Sequence, residues 1–209
     1  VWRMGEDDCP KVIVLSAPTL DLLSANRDSA QKRTLSIRVG DVCERGALLA
    51  ALTELGYERV PLVHDPGEFA VRGSVIDVFS PGESSPVRVD FFDDEVDSIR
   101  RIGEGGQRSG KDMKGFLVIP AREINTSPTG RKRAQHILQK VAESQQFPTR
   151  RLRPFLDDLE AGIVPHRLEM FAGLFESKTT TIGHLLPPEG LVVVLSPDEC
   201  EKERIAARE

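Results

Sequence analysis

Hydrophobic and polar positions follow different spacings along this chain. Residues 11–16 (KVIVLS) and 191–195 (LVVVL) are short apolar runs, which are typical of buried strands in a parallel sheet. The segment between them is predicted to be a strand-rich insertion between two α/β pieces. Its expected strands cover residues 34–39, 69–79, 87–92 and 116–119, with residues 59–63 as an edge strand because Pro61 cannot donate a ladder hydrogen bond.

One helix is strongly marked among these strands. Asp41 is expected to cap it, Glu44 completes a capping box, and Gly56 stands where a C-terminal cap is expected. Residues 26–32 are expected to form a polar loop after a short helix near residues 20–24. The apolar face of the marked helix would carry Ala47, Leu48, Ala51, Leu52 and Leu55.

The pattern becomes helical after residue 121. Residues 131–153 hold seven basic residues and one acidic residue, and a helical apolar spacing runs through them. This basic stretch is interpreted either as a solvated face or as a direct DNA contact, and both interpretations stay open. Short helices are expected over 154–162 and 170–175, and Pro197 opens a charged helix.

The two runs around the loop at residues 80–86 are predicted to pair as a hairpin. If Phe79 pairs with Val87, Val75 lies opposite Phe91 and Asp77 lies opposite Val89. The core face would then carry Val75, Phe79, Val87, Val89 and Phe91. On the other face, Ser74 would lie opposite Phe92, Ile76 opposite Asp90 and Val78 opposite Arg88, with Arg72 as a diagonal neighbour of Phe92. A slip of one residue would reverse the faces.

Composition and charge narrow the class of protein. Hydrophobic residues make up 39% of the chain, charged residues 29%, and the net charge is −5, which argues against a surface that grips nucleic acid throughout. No CxxC pair, apolar span of ~20 residues or signal peptide is present, so a reducing cytoplasm is expected. The chain starts with Val1, so it is expected to be part of a longer protein. Cysteines and histidines are scattered, and no metal or cofactor is expected: Cys9, Cys43, Cys200, His64, His136, His166 and His184.

The sequence carries no recognisable catalytic motif. A GxxxxGK[ST] phosphate loop is missing, and the glycine-rich residues 103–110 are interpreted as a turn. The acidic residues 90–97 are interpreted as a strand that ends in a solvated acidic turn, since alternation sends neighbouring carboxylates to opposite faces. The chain is therefore not expected to be an enzyme.

A long ordered pattern carries a family resemblance. Residues 56–59 (GYER), 66–79 (PGEFAVRGSVIDVF) and 87–100 (VRVDFFDDEVDSIR) resemble domain 2 of UvrB and of the bacterial transcription-repair coupling factor (Mfd). UvrB typically carries a glycine where Asp93 stands. The Phe-Phe-Asp-Asp-Glu form, followed by residues 119–123 (IPARE), is similar to the coupling factor, and the chain is identified as its N-terminal UvrB-homology region.

The resemblance implies a domain organisation. Residues 1–33 would end the first segment of domain 1, residues 34–120 would form domain 2, and residues 121–209 would return to domain 1. The implied fold class is α/β, a partial helicase-like parallel-sheet domain 1 with an inserted, strand-rich α+β UvrB-type domain 2. In the family, domain 1 resembles a helicase-type ATPase that has lost its nucleotide site.

The resemblance also implies a function. Domain 2 of the coupling factor binds UvrA, and the positions matching Arg72, Arg88 and Phe92 belong to that surface. The chain would recruit UvrA and so link stalled RNA polymerase to nucleotide excision repair. The full-length protein would be an ATP-dependent DNA translocase that meets RNA polymerase and double-stranded DNA through regions absent here, with no membrane partner.

Two alternatives remain at this point. A UvrB-like, helicase-type fragment that contacts damaged DNA directly would need a phosphate loop and a damage-probing hairpin, and neither is visible. At the level of single residues, Arg72 and Arg88 could be ordinary solvated charges, and Phe92 could pack under a helix. Arginine and aromatic residues are nevertheless the types enriched in binding hot spots.

Overall fold

A computed structural model describes residues 12–103, 110–163, 171–186 and 189–207. The chain divides into two compact units. One holds the described residues of 1–30, 123–125 and 129–209, and the other, which we call the sheet unit, holds residues 31–122 and 126–128. No helix among the described residues is long and apolar enough to cross a membrane.

The helices and strands are numbered in chain order, and two short 3-10 helices at Ala17–Asp21 and Ile182–Leu185 are left unnumbered. The elements are β1 Leu23–Ala25, α1 Arg27–Lys32, β2 Leu35–Arg38, α2 Arg45–Glu54, β3 Glu58–Arg59, β4 Glu68–Arg72, β5 Val75–Val78, β6 Val87–Phe92, β7 Glu95–Arg101, β8 Asp112–Met113, β9 Gly115–Val118, α3 Pro128–Ser144, α4 Thr149–Glu160, α5 Ala172–Phe175, β10 Thr179–Thr181 and α6 Pro197–Ala206.

The sheet unit is built on a six-stranded sheet in the order β3-β4-β5-β6-β7-β8. Only β3 and β4 are parallel, and the other neighbours are antiparallel. The run predicted as one strand over 69–79 is two strands, because the chain reverses at Gly73, whose φ of 61° is left-handed. The predicted edge strand at 59–63 is confirmed as an edge but covers only Glu58–Arg59.

One face of this sheet carries the core of the unit. The buried side chains of β4 to β7 pack against α2 and against the separate antiparallel pair of β2 and β9. From α2 come Leu48 and Leu52, and from its C-cap comes Leu55, whereas Ala47 is exposed. The sheet and the β2–β9 pair contribute Phe69, Ile76, Val78, Val87, Val89, Phe91, Val96, Ile99, Ile37, Phe116 and Val118.

The two ends of α2 differ in how well the sequence predicted them. The expected capping box is wrong: Glu44 is the N-cap residue and makes no side-chain cap, and Asp41 accepts the backbone N–H of Arg38 at 2.7 Å. The expected C-terminal glycine is confirmed, since Gly56 has a φ of 86°. A Cβ at this position would also lie 2.9 Å from the Cγ of Arg122, so both the backbone conformation and the close contact favour glycine here.

The other unit is mostly helical. Its small core holds Ile124, Ala134, Leu159, Ala172 and Phe175. The basic stretch forms two helices, α3 and α4, in place of one. Residues 26–32, expected to be a loop, contain α1, because Asn26 accepts the backbone N–H of Ser29 at 2.8 Å and so caps its first turn.

Both predicted terminal strands are wrong within the described residues. Residues 12–16 and 191–195 have no regular structure, and Val14 and Leu191 are 89% and 88% exposed. A buried parallel strand needs hydrogen-bonding neighbours at its edges. In the described part of this unit, the only sheet is the antiparallel pair of β1 and β10. Lys11, residues 104–109 of the glycine-rich turn and Met170 lie outside the described residues.

Candidate functional site

The register between β5 and β6 determines which side chains share a face. Ile76 lies opposite Val89, Asp77 opposite Arg88, and Val78 opposite Val87. The register predicted from the sequence is therefore wrong by one residue. Ile76 and Val78 are fully buried on the core face, and Val75 is half-buried on the other. The reason is burial: one face of β5 carries Ile76 and Val78, whereas the other carries Val75 and the charged Asp77, so the register that turns the wholly apolar face towards the core is favoured.

The face turned away from the core, here called the outer face, brings the three expected site residues together. Arg72 lies opposite Val75, which in turn lies opposite Asp90. Arg88 and Phe92 flank Asp90 two residues to either side on β6, so alternation places all of them on one side of the sheet. Phe92 is 72% exposed, which excludes its packing under a helix of the described chain.

Arg88 is held by a buried carboxylate. Its Nε donates to Oδ1 of Asp77 at 2.7 Å and its Nη2 donates to Oδ2 at 2.8 Å, which is the bidentate geometry that arginine favours. The side chain of Asp77 is only 4% exposed, and that of Arg88 is 27% exposed. The hydrogen bond with Asp77 raises the pKa of Arg88. Arg88 therefore has a structural role, and its Nη1 remains available to donate a further hydrogen bond.

A second ion pair lies beside the first. Arg100 of β7 binds the carboxylate of Asp90, which also accepts a hydrogen bond from the hydroxyl of Ser98 at 3.3 Å. Arg72 has a different environment: its side chain is exposed, and among the described residues the guanidinium makes one hydrogen bond, from Nη2 to the carbonyl oxygen of Pro61, which is long at 3.3 Å. Within each ion pair the carboxylate neutralises its arginine, so Arg72 is the cation with unneutralised charge among these outer-face residues.

Phe92 is presented by the tight turn between β6 and β7. It lies opposite Glu95 across the two residues Asp93 and Asp94. Asp93 has a φ of 53°, which explains why a residue tolerant of the left-handed region stands here. The acidic run is thus confirmed as a strand that ends in an exposed acidic turn.

The segment at residues 40–43, which we call the tether, fixes this turn from the far side. The N–H of Gly40 donates to the carbonyl of Val96, the N–H of Val96 donates to Asp41, and the N–H of Cys43 donates to Asp94, at 2.8 to 2.9 Å. Burial, followed by Asp41 and Asp94, raises the pKa of the Cys43 thiol, which disfavours a thiolate. The tether was not predicted from the sequence as part of the site.

The sequence analysis placed Asp90 on the outer face but missed Asp77 and Arg100 as members of it, and it assigned no ion pair there. The signal was present in the sequence. Arg88 and Asp90 lie two residues apart on β6 and so share a face, and Arg100 on the next strand has the opposite charge to Asp90. Cross-strand pairs of opposite charge are the pattern that such an alternation predicts.

The basic helices of the other unit form a second candidate surface. An open groove of about 460 Å³ runs between α3 and α4. Lys132, His136 and Arg153 line it, but so do Asp157 and Glu160. These carboxylates offset the positive potential that phosphate binding needs, so the groove is a poorer nucleic-acid site than the sequence alone indicated.

Comparison with known proteins assigns the class of the sheet unit. Residues 35–124 match the family model described as "UvrB interaction domain". The UvrABC system protein B of Methanosarcina mazei is 34% identical over 134 residues, which cover 63% of this chain and 20% of that protein. The sheet unit is a UvrB interaction domain.

A more particular relationship extends beyond this unit. The transcription-repair-coupling factor of Myxococcus xanthus is 37% identical over 183 residues, or 85% of this chain and 15% of that protein. The one from Bacillus subtilis is 41% identical over 98 residues, or 47% of this chain and 8% of that protein. The chain belongs to the transcription-repair-coupling-factor family, as its N-terminal UvrB-homology region, and spans about a seventh of the length of the first of these relatives.

Proposed function

We propose that the outer face of the sheet unit binds UvrA, and that the chain recruits UvrA so that a stalled RNA polymerase is linked to nucleotide excision repair. The observation that carries this proposal is the exposure of Phe92 on a fixed turn, on the same face as Arg72 and Arg88. An aromatic side chain that a folded domain holds open to solvent is a typical anchor for a protein partner.

Each of the three residues would have its own task. Phe92 would fill an apolar pocket of the partner. Arg72, with its unneutralised charge, would meet a carboxylate. Arg88 would contribute through its Nη1 edge while Asp77 fixes the guanidinium plane, which reduces the entropy lost on binding.

Binding of purified UvrA to the chain and its variants tests the proposal. Phe92→Ala and Arg72→Ala should each weaken binding by at least ~30-fold, the effect of a hot spot worth ~2 kcal/mol. Phe147→Ala and Arg38→Ala are the matched controls, because both side chains are exposed and neither residue belongs to a strand of the six-stranded sheet. Full-strength binding by Phe92→Ala, with an unchanged melting temperature, would refute this placement of the site.

We also propose that the chain itself performs no catalysis, and that any DNA translocation by the full-length protein uses sequence outside it. In the domain organisation we propose, residues 34–120 are domain 2, and residues 1–33 and 121–209 belong to a helicase-like domain 1. The exposed apolar residues Val12, Val14 and Leu15 and those at 191–195 support this, since a run of such residues normally lies against a partner surface. Hydrogen exchange of both segments should slow in a longer chain of the family.

Direct DNA binding by the basic helices is the second candidate function. Lys132, Arg150, Arg151 and Arg153 are exposed, and none of them forms an ion pair within the described ranges. Anisotropy of a labelled duplex at several salt concentrations distinguishes the two functions. Tight, strongly salt-dependent DNA binding that Arg150→Ala and Arg153→Ala reduce would favour this candidate.

A further inference from the structure

Val42 lies next to the proposed binding surface, although it comes from a distant part of the sequence. It forms an isolated antiparallel bridge with Glu95, and Glu95 lies opposite Phe92 in the β6–β7 hairpin. Directly opposite residues on neighbouring strands point to the same side. Val42, Glu95 and Phe92 therefore form one row across three backbone segments on the outer face.

The apolar members of this row are open to solvent. Val42 is 78% exposed and Phe92 72% exposed, whereas Val96, the next residue on β7, is 1% exposed on the core face. The three backbone hydrogen bonds of the tether hold Val42 in place without burying it. Its side chain thus contributes little to the stability of the fold, because the gain from apolar burial is not made.

We propose that Val42 is a contact residue of the same UvrA-binding surface, which extends from Phe92 across Glu95 to the tether. This inference rests on the proposed function and adds a residue to it. The continuity of the row carries the argument: a partner surface that covers Phe92 and extends one strand further meets Val42.

The row also specifies the chemistry of the partner. Its apolar groups must reach two side chains about 10 Å apart, the width of two strand spacings. Between them the partner covers the carboxylate of Glu95, which forms no ion pair within the described residues. Because covering an unpaired carboxylate is costly, the partner places a lysine, an arginine or another donor there.

The first experiment measures UvrA affinity and thermal stability of the whole chain carrying Val42→Ser. We expect about a tenfold loss of affinity with an unchanged melting temperature. Val39→Ser is the matched control, since Val39 is 46% exposed, lies three residues away and takes no part in the row. Unchanged UvrA affinity of Val42→Ser would overturn the inference.

A second experiment tests the row as a unit. The losses in Val42→Ser and Glu95→Gln should not be additive, because the two residues lie directly opposite each other and would meet neighbouring groups of the partner. Glu95→Gln should weaken binding if a cation of the partner faces it. Strictly additive losses would count against the row as one contact surface. Tighter binding by Glu95→Gln would count against a cation of the partner at this position.

The inference and the proposed function can fail separately. If Phe92→Ala and Arg72→Ala weaken UvrA binding but Val42→Ser does not, the surface ends at Phe92 and only the inference is wrong. If none of the three variants weakens binding, or if the wild-type chain does not bind UvrA, the proposed function is wrong and the inference is overturned with it.

Discussion

Asp77 and Arg88 form a bidentate ion pair across β5 and β6, in register and with the carboxylate almost fully buried. One of the three proposed binding residues is thus also part of the fold. A loss of UvrA binding in an Arg88 variant would combine two effects, whereas the exposed side chains of Arg72 and Phe92 can be removed without disturbing a buried charge.

Arg88→Ala should destabilise the sheet unit by about 2 kcal/mol, because the buried carboxylate of Asp77 is left without its partner. Chemical denaturation of the variant checks this value. The double variant Asp77→Val with Arg88→Val should lose less than the sum of the two single changes, since two apolar side chains replace the pair. Additive losses would show that the pair is not coupled.

The register predicts unequal costs for two adjacent apolar residues of β5. Ile76→Ala should cost about 3 kcal/mol, because Ile76 is fully buried against the core, and Val75→Ala should cost about 1 kcal/mol or less. The register first expected from the sequence predicts the reverse order. Denaturation midpoints of the two variants decide between them, with Val78→Ala as a second buried reference.

Asp93→Gly should stabilise the sheet unit by about 0.5 kcal/mol. The residue occupies the left-handed region, where a side chain adds strain that glycine avoids. This also gives a physical reason for the glycine that UvrB carries at the corresponding place. Asp94→Gly is the control: Asp94 has no positive φ, so the same change there should lower the melting temperature.

Tyr57 predicts a loss of stability at high pH. Its hydroxyl donates to the carbonyl of Ile119 at 2.7 Å, and burial raises the pKa of Tyr57 to about 12 from 10.0. Because the folded protein binds this proton more tightly, the stabilisation is complete below pH 10 and is lost as the pH rises from 10 towards 12. The free energy at stake is about 2–3 kcal/mol.

Tyr57 is the only tyrosine of the chain, so tyrosinate absorbance near 295 nm follows it alone. A midpoint near pH 10 in the folded protein would contradict the burial argument. Tyr57→Phe should remove the steep alkaline destabilisation between pH 10 and 12. It should also cost roughly 1 kcal/mol at neutral pH, because the carbonyl of Ile119 loses its hydrogen bond.

The outer face could be predicted in part because alternation along one strand does not depend on its partner. On β6, Val87, Val89 and Phe91 had to face the core together, so Arg88 and Phe92 had to face outwards. The pairing of Arg88 was missed because the assumed register placed Val89 opposite Asp77. The long loop over residues 79–86 does not fix the parity of the pairing as a two-residue turn would.

Other misses have other physical causes. Residues 12–16 and 191–195 were correctly recognised as apolar, but an apolar run shows that burial is favourable and not that a neighbouring strand is present. Val42 could not be placed because its bridge joins residues 53 positions apart in the sequence, beyond any local pattern. By contrast, Gly56 was predictable since a helix end imposes a local backbone requirement.

The tether has a consequence for the kinetics of association. Its hydrogen bonds immobilise the backbone around Phe92 while the domain folds, so the entropy of ordering this turn is not lost again when a partner arrives. Association would then need no preceding isomerisation. The observed association rate should rise in direct proportion to UvrA concentration in a single phase. Raising the salt concentration should lower the association rate constant, because it screens the charge of Arg72. It should leave the dissociation rate constant nearly unchanged, because the contact of Phe92 is apolar.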